Sequence, residues 1–268
     1  MTLGKVYLVG AGPGDPGLLT IKARDLIAAA GCIVYDHLVN PEILQHAQPA
    51  AELIYAGKQG HKCATKQETI HSILVTKATE HKIVVRLKGG DPFIFGRGGE
   101  EAEALVSAGI AWEVVPGVSS GAAAAAYAGI PITHRGLSAS VTFVTGHEDP
   151  AKPQPSLHWQ HLAHGSDTLV IFMGVANIKH IAANLLLHGK DPETPVAFIQ
   201  QGTYKQQITH TCTLVEVPEL LATASIQAPA IIVIGEVVKL REQLQWFEGQ
   251  SQTQLRPRQA EEDDVFVR

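Results

Sequence analysis

From the N-terminus to about Ile130, short apolar runs rich in Val and Ile alternate with longer stretches whose apolar positions recur every three or four residues. Runs of the first kind suit strands buried on both faces, and the stretches between them suit crossover helices, so this half predicts a mostly parallel sheet in an α/β fold. Strands are expected at residues 5–10, 33–36, 52–57, 82–88 and 112–116, with helices at 18–30, 65–81, 99–108 and 119–127. An apolar run at 141–145 follows, and then Pro150, Pro153 and Pro155 fall within a polar stretch, 148–156, that reads as a linker. Beyond it the pattern predicts strands at 168–173, 196–199, 207–213 and 230–234 and a helix at 177–187. Fewer crossovers in this half predict hairpins and a mixed sheet. Two α/β domains follow, 1–148 and 149–247, with 248–268 as a disordered tail because it is polar and carries Glu261, Glu262, Asp263 and Asp264 near its end.

Composition narrows the class. With 268 residues, 45% of them hydrophobic and 18% charged, the chain can bury one large core or two moderate ones. It has no run of about 18 apolar residues and no signal-like start, so a cytoplasmic protein without a membrane partner is expected. A net charge of -5 argues against a nucleic-acid binder, while a local basic cluster could still draw in an anionic small molecule. Cys32, Cys63 and Cys212 have neither zinc-site spacing nor a disulfide framework. His61, Cys63 and His71 are close in sequence, but helix geometry separates them and no metal is expected.

Two glycine loops carry the chemistry. The first strand runs into Gly10-Ala11-Gly12-Pro13-Gly14-Asp15-Pro16-Gly17, a turn that lets a ligand approach the backbone. A dinucleotide fingerprint would need its third glycine where Asp15 stands, and Pro13 and Pro16 stiffen the turn, so a nicotinamide oxidoreductase ranks low. The second loop, residues 86–101, leaves a buried strand, turns on Gly89-Gly90, offers Asp91 and sets Arg97 among glycines before a helix. So much glycine around charged groups costs backbone entropy, and a ligand touched by the backbone explains it economically.

These loops, together with Val34-Tyr35-Asp36-His37-Leu38-Val39, Val115-Pro116-Gly117, Gly129-Ile130-Pro131-Ile132-Thr133-His134-Arg135 and Val144-Thr145-Gly146-His147, resemble the uroporphyrinogen-III C-methyltransferases of the tetrapyrrole methylase family. The likeness spans about residues 5–247 and is carried most specifically by residues 88–101. It implies two domains with S-adenosylmethionine folded between them, a homodimer, and methylation of uroporphyrinogen III at C2 and C7 on the route to sirohaem and cobalamin. Relatives are sometimes fused to a dehydrogenase and ferrochelatase module, and from this chain only the methyl transfers are expected.

Carried over by position, Pro13, Gly89, Gly90, Asp91 and Ile94 match the family's cofactor contacts in the first domain, and Met173, Gly202 and Ala230 match those in the second. Ser119-Ser120 stands where relatives often have Thr-Ala, which keeps a hydroxyl at the first of those two positions. Asp36 and Lys58 match a proton acceptor and donor, while Arg97, Glu100 and Arg135 match substrate-handling or catalytic groups. The reaction needs a methyl donor held against a nucleophilic ring carbon and one base for the proton that leaves. Asp36 is the ordinary base; Arg97, always protonated, better anchors a carboxylate. Eight substrate carboxylates call for a basic cleft, for which Lys58, Lys62, Lys88, Arg97 and Arg135 are candidates. The contrary reading is a binding module that keeps the cofactor site without catalysis.

Overall fold

A computed structural model describes residues 3–57, 67–147 and 157–248. The expected linker at 148–156, the tail beyond Glu248, and Lys58, His61, Lys62 and Cys63 lie outside the described residues.

The first half runs β1 (Lys5–Gly10), α1 (Ile21–Ala29), β2 (Cys32–Tyr35), β3 (Glu52–Tyr55), α2 (Gln67–Glu80), β4 (Ile83–Lys88), α3 (Gly98–Ser107) and β5 (Ala111–Val115). Its five strands pair in the order β3-β2-β4-β1-β5, all parallel. Thr20 caps α1 by accepting from the amide of Ala23, and Gly109, at φ +69, takes the left-handed turn just after α3. Both faces of the sheet are covered. Val6, Leu8, Val34 and Val84 pack under Ile70, Leu74 and Leu105 of α2 and α3, while Val9, Ile33, Val85 and Leu87 face Ala23 and Ile27 of α1. Strand alternation then puts Arg86 and Lys88 on the same face as Val84, beneath α3 and at the carboxyl end of β4.

The second half runs α4 (Ser120–Tyr127), β6 (Val141–Thr145), α5 (Trp159–His164), β7 (Thr168–Phe172), α6 (Ile178–Leu187), β8 (Pro195–Gln200), β9 (Ile208–Thr213), α7 (Val217–Thr223), β10 (Ala230–Ile234) and α8 (Arg241–Leu244). Its strands pair as β6-β7-β10-β8-β9, with β6 and β7 parallel and the rest antiparallel, which is the mixed sheet the hairpin-like spacing predicts.

The division between the halves falls earlier than the 148/149 boundary read from the proline-rich stretch. Strand β6 pairs with β7 from Val141↔Thr168 to Thr145↔Phe172, so it belongs to the second sheet. Helix α4 belongs there too. A Cβ on Gly121 would lie 2.5 Å from the Phe172 ring, and one on Gly202 would lie 2.4 Å from the Ala124 Cβ, so the helix lies directly on the second sheet. The chain changes sheets after β5. Helices α5, α7 and α8, of six, seven and four residues, were not expected because they are too short for their periodicity to show.

Candidate active site

The two glycine loops meet at the carboxyl end of the first sheet, where ligands bind in open α/β folds. Gly12 and Gly90 form a bridge, the amide of Gly90 donating to Gly12 O at 2.7 Å and that of Gly12 to Gly90 O at 3.1 Å. A Cβ on Gly10 would lie 2.5 Å from Gly117 N, and one on Gly117 would lie 2.3 Å from Gly90 O. Gly10 and Gly117 are therefore required by backbone packed on backbone, whereas for Gly10 the sequence reading expected the approach of a ligand. Gly90 is different. At φ +68 it adopts a left-handed conformation, and the nearest atom to a Cβ there is Ser120 N at 3.7 Å, so its open side faces the start of α4.

Around that opening stand several of the expected cofactor residues. Ser119 caps α4 without a side-chain bond, and its Oγ is buried with no partner among the described residues. Ile94 and Met173 expose apolar surface, as does Phe95, whose ring packs at a tilt 4.9 Å from Phe172 and so joins the second loop to the second sheet. Phe95, Arg97 and Met173 all hold positive φ values, of 51°, 57° and 54°, strain that clusters at this one site. Asp91 turns its carboxylate inward, accepting from the amides of Phe93 and Ile94 at 2.8 and 3.2 Å and from Gly117 at 3.1 Å, so it shapes the loop. Pro13 sits in the first loop, Gly202 against Ala124, and Ala230 opposite Gln200 at the start of β10. An orphaned buried hydroxyl, an open glycine and exposed apolar side chains fit a ligand with polar and apolar parts such as S-adenosylmethionine.

Beside the loops lies a buried ionic cluster that the sequence reading missed. Asp36, just past β2, accepts from Arg86 Nη2 at 2.6 Å and lies 3.9 Å from Lys88 Nζ. Glu101 on α3 is fully buried, and its Oε1 accepts from both Arg86 Nε and Lys88 Nζ at 2.9 Å. Two cations and two carboxylates thus balance under α3. Burial, and then the neighbouring Arg86, pull the Lys88 ammonium below its ordinary value. Lys88 is therefore not part of an open basic cleft, as its place at a strand end suggested, because alternation turns it under α3. The available signal was two charges two residues apart in an otherwise apolar strand, which need a carboxylate on the covering helix.

The remaining substrate candidates among the described residues, Arg97, Glu100 and Arg135, are exposed. Arg97 makes a two-pronged bond to Glu100, Nε to Oε1 at 2.8 Å and Nη2 to Oε2 at 2.6 Å. Arg135 is exposed in the turn closed by His134 and Ser138. Among the described residues, Cys32, Glu52 and His81 are close enough to share a cation, but Glu52 already pairs with Lys77 at 2.9 Å. No described helix is long and apolar enough to cross a membrane.

The fold is that of the Tetrapyrrole (Corrin/Porphyrin) Methylases, whose family pattern matches residues 5–218, and the chain belongs to that family. It is 52% identical over 252 residues to uroporphyrinogen-III C-methyltransferase of Bacillus subtilis, covering 94% of this chain and 98% of that one. It is also 52% identical over 239 residues to the S-adenosyl-L-methionine-dependent uroporphyrinogen III methyltransferase of Methanosarcina barkeri, covering 89% and 94%. Among solved structures, the Thermus thermophilus uroporphyrin-III C-methyltransferase complexed with S-adenosylhomocysteine superposes with a TM-score of 0.77 at 42% identity, over 88% of this chain and all of that one.

Proposed function

We propose that this chain methylates uroporphyrinogen III at C2 and C7 with S-adenosylmethionine, giving precorrin-2 for sirohaem and cobalamin biosynthesis. The observation that carries the reading is the placement of Asp36, pinned by Arg86, at the strand end next to the Gly89-Gly90-Asp91 turn.

When bound, S-adenosylmethionine supplies an electrophilic methyl on a sulfonium. The chain's residues do the rest. Pro13 and the backbone of Gly89, Gly90 and Asp91 hold the donor from the first half, with Ile94, while Ser119, Ser120, Met173, Gly202 and Ala230 hold it from the second. Orientation of the two reactants is the main catalytic contribution available. Arg86 holds Oδ1 of Asp36, and Oδ2, 3.9 Å from Lys88 Nζ, takes the proton released once the ring carbon has bonded to the methyl. Lys58 is the proposed proton donor. Arg97 exchanges the exposed Glu100 carboxylate for one on the substrate, which its fork can grip in the same two-pronged way, and Arg135 takes another. A homodimer in the cytoplasm completes the proposal, and light scattering checks the first part of that.

Incubating the chain with uroporphyrinogen III and methyl-labelled S-adenosylmethionine should place two labels in each product molecule. Binding of both ligands without any labelled product would instead favour a non-catalytic binding module.

A further inference from the structure

The first glycine loop is tied to the second half by a closed ring of hydrogen bonds. From the loop, the amide of Asp15 donates to Thr203 Oγ1 at 2.9 Å, and the amide of Thr203 donates to Gln207 Oε1 at 2.7 Å. Gln207 Nε2 donates to Glu248 Oε1 at 2.7 Å, and the other oxygen of Glu248 is held by Arg241. Arg241 Nη1 reaches back to the carbonyl of Ala128 at 2.6 Å, next to Tyr127 at the end of α4. Tyr127 closes the ring by donating its hydroxyl to Asp15 Oδ2 at 2.6 Å.

Packing supports each side of this ring. Tyr127 is walled in by the rings of Trp246 and Phe247, 5.0 and 4.8 Å away, and Trp246 Nε1 donates to Ala126 O. A Cβ on Gly14 would lie 2.3 Å from the Tyr204 ring, so loop and second half touch without a gap. Thr203, 3% exposed, is a β-branched residue held at φ +71. That conformation is costly for its type and persists only where surrounding contacts impose it.

We infer that Tyr127, Thr203 and Glu248 are positioning residues: with the chain at 241–248 they fix the distance between the first glycine loop and the second half, and so the grip on the methyl donor. The inference rests on the proposed seating of S-adenosylmethionine against that loop. None of the three touches the reacting atoms, so the ring acts on the binding of the donor and leaves the chemical step alone.

The test uses the full chain, with calorimetry against S-adenosylhomocysteine and steady-state rates. Tyr127→Phe deletes one oxygen, and Thr203→Val removes the hydroxyl at constant shape. Each should weaken S-adenosylhomocysteine binding and raise KM for S-adenosylmethionine about tenfold, the scale of one hydrogen bond involving a charged or buried partner. kcat and KM for uroporphyrinogen III should stay within about twofold, and Thr203→Ser should restore donor affinity. Glu248→Gln, changed on the far side of the ring, should move donor affinity in the same direction. Unchanged donor binding in all three, or a fall in kcat without a rise in KM, overturns the inference. A parent chain that fails to bind S-adenosylhomocysteine overturns both this inference and the seating it rests on, whereas normal parent binding with unaffected variants removes the ring alone.

Discussion

The first half buries Arg86 and Lys88 at the carboxyl end of β4 with Glu101 of α3, whereas the buried polar residues described in the second half are uncharged, among them Ser138, Thr168, Thr194, Thr203 and Gln207. The second sheet is otherwise filled with side chains such as Val170, Phe198, Ile232 and Val233. Burying charge is costly unless it is paired, so a balanced cluster held under one helix suggests that the first half supplies reacting groups. An apolar sheet costs nothing of that kind, and it serves as the rigid wall against which α4 and the loops at 173 and 201–204 are set.

That contrast can be broken most sharply at Asp36. Asp36→Asn should bind both ligands yet lose about 100- to 10,000-fold in turnover, the range for a lost general base. Single-turnover product analysis checks it, and a nearly normal rate would move the base elsewhere.

Glu101→Gln comes next. It leaves two buried cations with only Asp36 opposite them, and should cost about 3–5 kcal/mol in urea unfolding, the usual penalty for breaking a buried pair from one side. In the second sheet, Ile232→Val removes one methylene from a fully buried position. It should cost about 0.5–1.5 kcal/mol and leave turnover unchanged. A loss of turnover there would show that the second sheet does more than support.

The smallest effect belongs to an exposed ion pair of the first sheet. Lys22, and then Lys5, hold the Glu113 carboxylate down at about 2 against an ordinary 4.5. Its contribution to stability is therefore complete above pH 4.5 and is lost as pH falls toward 2. Glu113→Gln should lower the unfolding temperature only slightly at pH 7, because exposed pairs contribute little, and the difference from the parent should close over that acid window.

Much of this contrast was legible along the chain. β1 and β10 lie at the expected residues, because Val- and Ile-rich runs bounded by Gly or polar residues have few other uses. The glycine loops were legible as a site, but which glycines serve the backbone was not: the close approach of Gly10 to Gly117 joins positions more than a hundred residues apart. The reading of Pro150, Pro153 and Pro155 as a boundary failed for a similar reason. Proline reports local backbone stiffness, while sheet membership depends on which strand lies alongside.

The sequence by itself determined the alternation of strands and helices, the glycine turns and the candidate residues Asp36, Arg97 and Ser119, because each follows from local spacing or from motif likeness. Tertiary structure alone decided that Arg86 and Glu101 share one buried cluster with Asp36, and that Asp15 is bound through Thr203 and Glu248 to the end of α4. Such pairings depend on charge neutralised across strands and loops distant in sequence, where a low-dielectric interior makes each partner necessary to the other.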